Sequence, residues 1–593
     1  MNLTNEEKEI GRSNYYESIG VSRRDFLKGV AVAGVTSGAG LGAMYFGYGS
    51  SVSDPVRVAV IGTGDEGNVL IGAINPNYIQ VKAICDIRPY NQHRAFFGDW
   101  ASPSARLNRK GLMDVYGWKT HEEALNHVKV YTDYQDVLKD PDIEAVIIAV
   151  PLFLHHKVAM DAMAAGKHVL TEKLMAYNVA QCKEMGRMAA RENLLLATGH
   201  QRHYSVLYDN AVNLIRWGLL GELHHIRAQW HRNNLPGNDS WAPALPGGRY
   251  DFDKNAVVDE IQNTVDKLQK AVDKGIDNPV ERHETEMQLA QWKAWAKDVE
   301  VDAAKYGYEE IEIGGRKRSA LEELCRWRLW TRTGGGLMAE LGSHQLDAAS
   351  IFVSALRRDG KKAHPLSVHA VGGRHIFPQD RDAFDHVYCM FEFPGPGYEP
   401  REPKDFYGYY DRYNNVPDPK TGIPPYTDDN NKRIVLTYSS INGNGYGGYG
   451  EVVMGTKGTL ILEREQEIMV FKDADTKTKI QVKDDGGGPA VMAYETGSKA
   501  AVAAQGAHNS MGPVSRGYTE EMEHWAWCIR NRDPENRPRC YPEVALGDAC
   551  IALTTNVAMQ QAAAGKGGHI QFKEEWFQVD SDETPDGSTP QKI

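Results

Sequence analysis

The sequence predicts an α/β protein, in which an N-terminal doubly wound parallel sheet precedes a C-terminal α+β domain with a largely antiparallel open sheet. Three observations favour this. Apolar strand-like runs alternate with helical patterns up to about residue 202, strand-like runs then follow one another with few helices between them, and 593 residues are too many for one core. The expected segments are 1–53 as leader and linker, 54–202 and 203–575 as the two domains, and 576–593 as a polar, disordered tail.

The first strand runs directly into a glycine-rich turn. Val56–Ile61 (VRVAVI) is followed by Gly62, Gly64 and Gly67 in GTGDEG, and then by a helical pattern. In this context G-x-G-x-x-G predicts a Rossmann domain, with Gly62 for the tight turn, Gly64 for close approach of a pyrophosphate and Gly67 for helix–strand packing. The N–H groups at the start of the helix would bind the phosphates.

The second strand ends at an acidic residue. Asp86 follows the apolar run from Val81 to Ile84 and stands 19 residues beyond Gly67, where a carboxylate accepts hydrogen bonds from ribose hydroxyls. Asp86 favours NAD because it would repel a 2′-phosphate, whereas Arg88 leaves NADP open.

The alternation then continues to the end of the first domain. We expect residues 90–130 to be a surface insertion. The predicted strands are 144–150, 168–171 and 194–198, and the predicted helices are 155–165 and 178–191.

Two later segments carry residue types suited to alcohol oxidation. Glu172 and Lys173 (in TEKL) close one of these strands, and Glu340, His344 and Asp347 recur at i, i+4 and i+7 in GGGLMAELGSHQLD, so they would share one helix face. A histidine titrates near neutral pH, which makes His344 the candidate general acid/base. A lysine ammonium would stabilise a developing alkoxide, and a carboxylate would hold the imidazole or a substrate hydroxyl.

These motifs resemble those of the Gfo/Idh/MocA family of oxidoreductases. The family has Glu-Lys-Pro where TEKL stands, with its lysine beside the nicotinamide and the substrate hydroxyl, so Lys173 matches and Leu174 replaces the proline. The second block resembles G-G-x-[ML]-x-D-x-x-x-H-x-x-D, with Glu340 in place of the first aspartate. The resemblance covers roughly residues 55–232 and 326–570 and implies catalytic roles for Lys173, His344 and Glu340.

Weaker matches add four residues. Pro151–His155 resembles the family's Thr-Pro-x-x-x-His, which implies that His155 lies near the cofactor, as Glu172 would. Arg202 follows the last Rossmann strand, and Arg202 and Asp347 are candidate substrate contacts. No metal site is expected, because the spacings of His200, His203, His224, His225 and His231 fit no strong ligand motif. The seven cysteines imply no disulfide framework.

The N-terminal segment resembles a twin-arginine export signal. Arg23 and Arg24 stand in SRRDFLK, ahead of a weakly hydrophobic run from Gly29 to about Tyr48. The resemblance implies a periplasmic protein, with the twin-arginine translocation machinery as a partner, although an uncleaved membrane anchor is an alternative. Outside the cytoplasm little NAD is free to exchange, so we expect a tightly held cofactor that is restored within each cycle or passes electrons to a partner.

The second domain is predicted from strand-like runs at 225–230, 368–374, 386–393, 433–438, 450–454 and 458–462, and from helices over 542–563. A helical hairpin is expected within an insertion over 234–325, as a buttress, an oligomer contact or a lid. Tyr/Gly-rich loops at 405–413 and 442–449 are candidates for sugar contact.

Charge and motif together define the functional hypotheses. A net charge of −12 argues against a nucleic-acid partner. The first hypothesis is an NAD(P)-dependent oxidoreductase acting on a sugar or polyol, expected to be a homo-oligomer. The alternatives are a redox-neutral glycosidase or lyase that acts through a transient keto-sugar, and a non-catalytic NAD-binding protein.

Overall fold

The computed structural model describes residues 3–20, 41–251, 253–395, 398, 431–472, 475–484, 489–494 and 515–592. The strands are β1 (Val56–Ile61), β2 (Ile79–Cys85), β3 (Lys129–Tyr131), β4 (Ala145–Ile148), β5 (His168–Glu172), β6 (Leu196–Gly199), β7 (Leu223–His231), β8 (Arg249–Asp251), β9 (Ala256–Val258), β10 (Ile311–Ile313), β11 (Arg316–Arg318), β12 (Ser367–Gly373), β13 (His386–Pro394), β14 (Arg433–Ile441), β15 (Tyr449–Gly455), β16 (Gly458–Glu463), β17 (Glu467–Lys472), β18 (Lys479–Asp484), β19 (Pro489–Tyr494) and β20 (His569–Gln571).

The α-helices are α1 (Asn5–Ser18), α2 (Leu41–Phe46), α3 (Asp65–Ala73), α4 (Pro89–Phe97), α5 (Pro103–Asn108), α6 (Leu112–Tyr116), α7 (His121–His127), α8 (Tyr134–Lys139), α9 (His155–Ala164), α10 (Val179–Arg191), α11 (Val206–Arg216), α12 (Glu260–Lys274), α13 (Pro279–Ala296), α14 (Ala320–Cys325), α15 (Thr331–Gly334), α16 (Ser343–Ser354), α17 (Tyr518–Arg530) and α18 (Pro542–Ala563). A π-helical turn, Met338–Gly342, leads into α16. Among the described helices, none combines the length and the apolar character needed to cross a bilayer.

The first sheet is parallel throughout, in the order β3-β2-β1-β4-β5-β6. This is the doubly wound order, and the strand order reverses between β1 and β4. Both strands are apolar and buried, as expected for a sheet with helices on both faces. The predicted Rossmann fold is confirmed, and residues 90–130 contribute β3 and most of four short helices, α4–α7.

The second sheet has eight strands in the order β17-β16-β15-β7-β14-β13-β12-β20. Only the pair β7–β14 is parallel, so the predicted largely antiparallel sheet is also confirmed. β7 lies in the middle of the sheet, between β14 and β15, and its end faces the first domain's ligand side. Helices α16 and α18 pack beside this sheet and contribute to the same apolar core.

Helices from beyond residue 203 reach back to the first domain. The C-terminal helix α17 returns to the first domain, where Met522, Trp525 and Ala526 share a core with Val58 and Val60 of β1. The predicted hairpin forms as α12 and α13, and α13 reaches the first domain through Trp295, which stacks on Tyr90 with ring centroids 4.7 Å apart.

The N-terminal helix α1 packs on β17, the edge strand of the second sheet, and on β18, which forms a separate two-stranded sheet with β19. Asn14 donates to the Val470 carbonyl over 2.8 Å and accepts from the Ile480 amide over 3.1 Å. Arg12 pairs with Glu467 at 2.9 Å. The twin-arginine motif at Arg23 and Arg24 lies outside the described residues, as does the loop 405–413.

The expected disordered tail is ordered instead. Trp576 and Phe577 are buried, and the Lys183 ammonium of α10 donates to the carbonyls of Glu575, Ser581 and Glu583 over 2.7–2.9 Å. The polar composition of the tail suggested disorder. The groups that accept from Lys183 are backbone carbonyls, and composition does not reveal such contacts.

Candidate active site

A cavity of about 1230 Å³ opens at the carboxyl ends of β1, β2, β4 and β5. Residues of both domains line it, including the glycine turn, Asp86, Lys173, His344 and the residues that end β7. Ligands of doubly wound folds bind at this edge, beside the point where the strand order reverses.

The glycine turn leaves room for a phosphate group. A Cβ at Gly62 would lie 2.4 Å from the Ala149 carbonyl oxygen, and one at Gly67 would lie 2.1 Å from the Gly62 carbonyl oxygen, so neither position accepts a side chain. At Gly64 the nearest atom would be 3.8 Å away. Gly64 also caps α3 without a side-chain hydrogen bond, which leaves first-turn N–H groups for a ligand. The turn therefore fits a dinucleotide pyrophosphate.

Asp86 is fixed beside this turn. Its carboxylate accepts from the amides of Thr63 (2.8 Å) and Arg88 (2.9 Å) and is 8% exposed. The Arg88 guanidinium does not face the ligand as a free cation, because it pairs at 2.8 Å with the buried Asp298 of the insertion. The arrangement favours ribose hydroxyls over a 2′-phosphate.

Lys173 extends from the end of β5 towards the second domain. Its ammonium donates to the Glu340 carbonyl oxygen over 2.8 Å, which joins the two predicted motifs directly. The peptide bond between Lys173 and Leu174 is cis. Glu172 lies beneath the lysine and is 6% exposed, and burial together with the nearby Glu66 raises its pKa to about 8 although Lys173 opposes this.

His344 presents a free imidazole to the same cavity. Within the described residues its ring makes no hydrogen bond, and it lies against Trp230 with ring centroids 5.4 Å apart. Burial, followed by the charges of Lys173 and Arg202, lowers its pKa well below the usual range. The ring is therefore neutral at physiological pH and can accept a proton.

Glu340 does not hold the imidazole, which differs from one predicted role. Its carboxylate pairs with Arg328 at 2.6 Å. Burial alone would raise its pKa, but Arg328, Lys173 and Arg232 outweigh burial and lower it to about 2. The carboxylate is thus a fixed negative charge in the cavity wall.

His155 lines the cavity but has both ring nitrogens occupied. Nδ1 lies 2.8 Å from the Leu174 carbonyl oxygen and Nε2 lies 2.8 Å from that of Val150. His155 therefore links the loops that follow β4 and β5. It forms part of the cavity wall, and neither ring nitrogen is left for a ligand.

Arg202 and Asp347 lie outside the cavity lining, so a substrate contact by either is not supported. Arg202 is buried and pairs with Glu465 at 2.6 Å and Glu451 at 3.2 Å. Asp347 is buried and accepts from His203 over 2.9 Å. The π-helical turn before α16 breaks the regular helical period, so Glu340 and Asp347 do not share one face as the spacing suggested.

Behind Asp347 lies a cluster of possible metal ligands that the sequence spacings did not indicate. His200, Cys540 and Asp548 present ligand atoms within 4.8 Å of one another, and His203, Asp347 and Asp548 do the same. The Lys362 ammonium contacts both carboxylates, at 3.3 Å from Asp347. We assign no ion here because a cation already balances the pair.

Sequence reasoning missed much of the cavity wall. The missed residues are Trp230, Arg232, Trp295, Tyr306, Tyr308, Arg326, Arg328, Arg516 and Tyr518. Trp230 and Arg232 had a usable signal, because they end a predicted strand of the second domain. Trp295, Tyr306 and Tyr308 come from the insertion, and Arg326 and Arg328 directly follow it. Arg516 and Tyr518 stand at the start of α17, and only tertiary structure brings these segments to the cavity.

Comparison with known proteins supports the assignment of the first domain. Residues 56–200 match the GFO_IDH_MocA family model, described as an oxidoreductase family with an NAD-binding Rossmann fold. A glycosyl hydrolase family 109 protein of Solibacter usitatus is 28% identical over 225 residues, which is 36% of this chain and 46% of that protein. An uncharacterized oxidoreductase of Schizosaccharomyces pombe is 28% identical over 187 residues, 32% of this chain and 45% of that protein.

The chain thus spans less than half the length of these curated relatives. Among solved structures, an NAD binding oxidoreductase from Klebsiella pneumoniae gives a TM-score of 0.47 at 16% identity, covering 88% of this chain and 100% of the other. Levoglucosan dehydrogenase with NADH and levoglucosan gives 0.46 at 15% identity, with coverage of 88% and 100%. Residues 56–200 thus match the NAD-binding Rossmann domain of this oxidoreductase family.

Proposed function

We propose that this protein is an NAD-dependent oxidoreductase that transfers hydride between a hydroxyl-bearing carbon of a sugar or polyol and a tightly bound nicotinamide cofactor. The observation that carries the proposal is that the Lys173 ammonium and the neutral His344 ring face one cavity, which also contains the glycine turn and Asp86. A protein that only bound nucleotide would need neither of the first two groups.

The cofactor would be held by the chain's backbone and one carboxylate. The turn at Gly62 and Gly64 and the start of α3 suit the pyrophosphate, and Asp86 suits the adenosine ribose hydroxyls. When bound there, NAD supplies the hydride acceptor. Because the Asp86 carboxyl group is fixed beside the turn by backbone amides and Arg88 is paired with Asp298, we expect NAD to be preferred over NADP.

The chain's own groups account for the proton and the charge. The neutral His344 imidazole accepts the hydroxyl proton as the C–H bond loses hydride and the carbonyl forms. The Lys173 ammonium, steadied by the Glu340 carbonyl, stabilises the negative charge that develops on the substrate oxygen. Trp230, stacked on Tyr449, forms the cavity wall beside His344.

The test compares Lys173→Ala and His344→Ala with the wild-type protein. Each variant should lose roughly 10²–10⁴-fold in kcat/KM for sugar or polyol oxidation, the usual contribution of one proton-transfer group, while retaining bound nucleotide. The cofactor released on denaturation identifies NAD or NADP and its redox state. Full activity in both variants would contradict the assigned chemistry, and an inactive wild-type protein with bound NAD would favour a binding role.

A second candidate is a redox-neutral glycosidase or lyase. Relatives in glycosyl hydrolase family 109 favour it, over the part of the chain that they cover. Such an enzyme would release a glycone without net NADH, whereas a dehydrogenase would accumulate NADH or reduce a second substrate. Following both products in one assay separates the two functions.

We also propose periplasmic location through twin-arginine export, supported by Arg23 and Arg24 in SRRDFLK ahead of the apolar run. An uncleaved membrane anchor is the alternative to a cleaved signal. We also propose that the protein is a homo-oligomer. Retention of an Arg23→Lys/Arg24→Lys double variant in the cytoplasm would support export by this route, and unchanged fractionation would count against it.

A further inference from the structure

Four cationic side chains line the end of the cavity around His344. They belong to Lys173, Arg232, Arg328 and Arg516. Three of them have a partner in the protein. Lys173 donates to the Glu340 carbonyl, Arg328 pairs with the Glu340 carboxylate, and Arg516 pairs with Glu465 at 2.7 Å.

Arg232 is the exception. It follows the last residue of β7, and its amide donates to the Ile441 carbonyl over 2.9 Å, so its backbone is fixed by the central pair of the sheet. Its guanidinium carbon lies 5.4 Å from the centroid of the Trp230 ring. Within the described residues this half-buried guanidinium has no hydrogen bond and no ion pair, although it lines the cavity.

The nearby carboxylates are already engaged. Glu340 pairs with Arg328, and Glu465 pairs with both Arg202 and Arg516. Glu451 accepts from Arg202 and from Tyr208, at 3.2 Å and 3.0 Å. An arginine cannot give up its proton in a protein, so Arg232 stays positively charged. The Glu340 carboxylate offsets part of this charge from a distance, but it is bound by Arg328 and makes no ion pair with Arg232.

We propose that Arg232 binds a carboxylate of the substrate, so that the substrate is an acidic sugar such as a hexuronic acid. This inference rests on the proposed function, since it names the substrate class of the same site. The planar guanidinium presents paired N–H donors that match a carboxylate. Trp230 lies next to both the His344 ring and the Arg232 guanidinium, so these two groups border the same part of the cavity. A sugar bound there would present one carbon to His344 and its acidic group to Arg232.

A substrate anion would also help the proton transfer. The cations around the cavity disfavour a charged imidazole at His344. A carboxylate on Arg232 offsets part of that positive field, so the imidazolium that forms during oxidation becomes less costly.

The experiment measures binding and turnover separately on the purified, nucleotide-loaded protein. Titration calorimetry compares D-glucuronate, D-galacturonate and D-mannuronate with the neutral hexose of each pair, for the wild type, Arg232→Gln and Arg232→Lys. We expect at least one hexuronate to bind about tenfold more tightly than its hexose, a difference of about 1.4 kcal/mol. Arg232→Gln should abolish that difference without changing hexose binding, and Arg232→Lys should restore part of it.

A matched control is Arg227→Gln, which removes an exposed arginine from the same strand outside the cavity and should change nothing. Galactose 6-phosphate is titrated in the same series as a second anionic sugar. The proposal is overturned if no hexuronate binds more tightly than its hexose, if Arg232→Gln weakens binding of both equally, or if galactose 6-phosphate is the only ligand whose binding depends on Arg232. Binding of a hexuronate that depends on Arg232, without oxidation of any sugar, would remove the proposed function and leave the carboxylate subsite standing.

Discussion

Three ionisable residues that line the cavity near Lys173 are held in different protonation states. Glu340 is a permanent anion because arginine and lysine surround it, His344 is neutral because it is buried among cations, and Glu172 is buried beside Glu66 with a pKa of about 8. Each state follows from the neighbours of the residue and not from its type. One cavity thus contains a neutral imidazole at His344, a fixed negative charge at Glu340 and a carboxylic acid at Glu172 that keeps its proton near neutral pH.

Glu172 should therefore make stability depend on pH. Its pKa is raised from 4.5 to about 8 in the folded protein, so the unfolded chain ionises first, and stability present below pH 4.5 is lost as the pH rises through about 8. Glu172→Gln removes this loss. In cofactor-free protein, its Tm should match the wild type near pH 4.5 and exceed it by several degrees at about pH 9. The exposed Glu192→Gln is the control, and parallel Tm curves for Glu172→Gln and the wild type would contradict the burial argument.

Sequence motifs predicted two residues that line the cavity, but not the partners of the charged residues there. Lys173 and His344 were predicted because each stands in a short pattern with its structural context, and the structure brings both to the cavity. The pairing of Glu340 with Arg328 and the isolation of Arg232 depend on side-chain directions set by the whole sheet. Periodicity alone could not supply them, and it misassigned Asp347 for the same reason.

At the scale of elements, long apolar strands and helices were predicted closely, and short or polar elements were missed. The strand predicted at 386–393 is β13 (His386–Pro394), and the helices predicted over 542–563 form the single helix α18. β20 has three residues and exists because it pairs with β12, which no local pattern reveals. The ordered tail is a similar case, since backbone carbonyls are its main contacts.

The contact between α10 and the tail can be tested with a double-mutant cycle. The buried Lys183 ammonium donates to three carbonyls of residues 575–583. Lys183→Met should therefore lower the free energy of unfolding in the full chain by about 1–3 kcal/mol, because buried acceptors lose their donor. In a chain that ends at residue 575, the same substitution should have little effect, because most of the acceptors are gone. Equal effects in both backgrounds would mean that the tail does not hold this lysine.

At the scale of the whole molecule, the two sheets are not independent units along the chain. α17 belongs in sequence to the C-terminal half, yet Trp525 packs in the core beneath β1, and α13 packs against α4. A boundary near residue 202 follows from the change of strand pattern, but the return of a distant helix has no local signature. Sequence analysis could predict the fold of each domain, but not which helices pack across to the other domain.

The returning helix should control the stability of the nucleotide-binding half. Trp525 is fully buried, whereas Trp217 is 41% exposed. Trp525→Ala should cost about 3–5 kcal/mol of unfolding free energy and speed hydrogen exchange of amides in β1 and β4. Trp217→Ala should change the unfolding free energy and the exchange rates of these amides by much less. Unaltered exchange in β1 and β4 of the Trp525 variant would show that α17 does not support that sheet.

The packing of α1 on β17 and β18 has a consequence for proteolysis. Arg12 and Asn14 tie this helix to both strands by contacts that do not depend on the backbone through residues 21–40, so we expect it to stay bound if that backbone is cut. A single nick in that stretch would yield a two-piece assembly in which the small fragment travels with the large one. Native mass spectrometry would then report one species, and denaturing conditions would release the peptide.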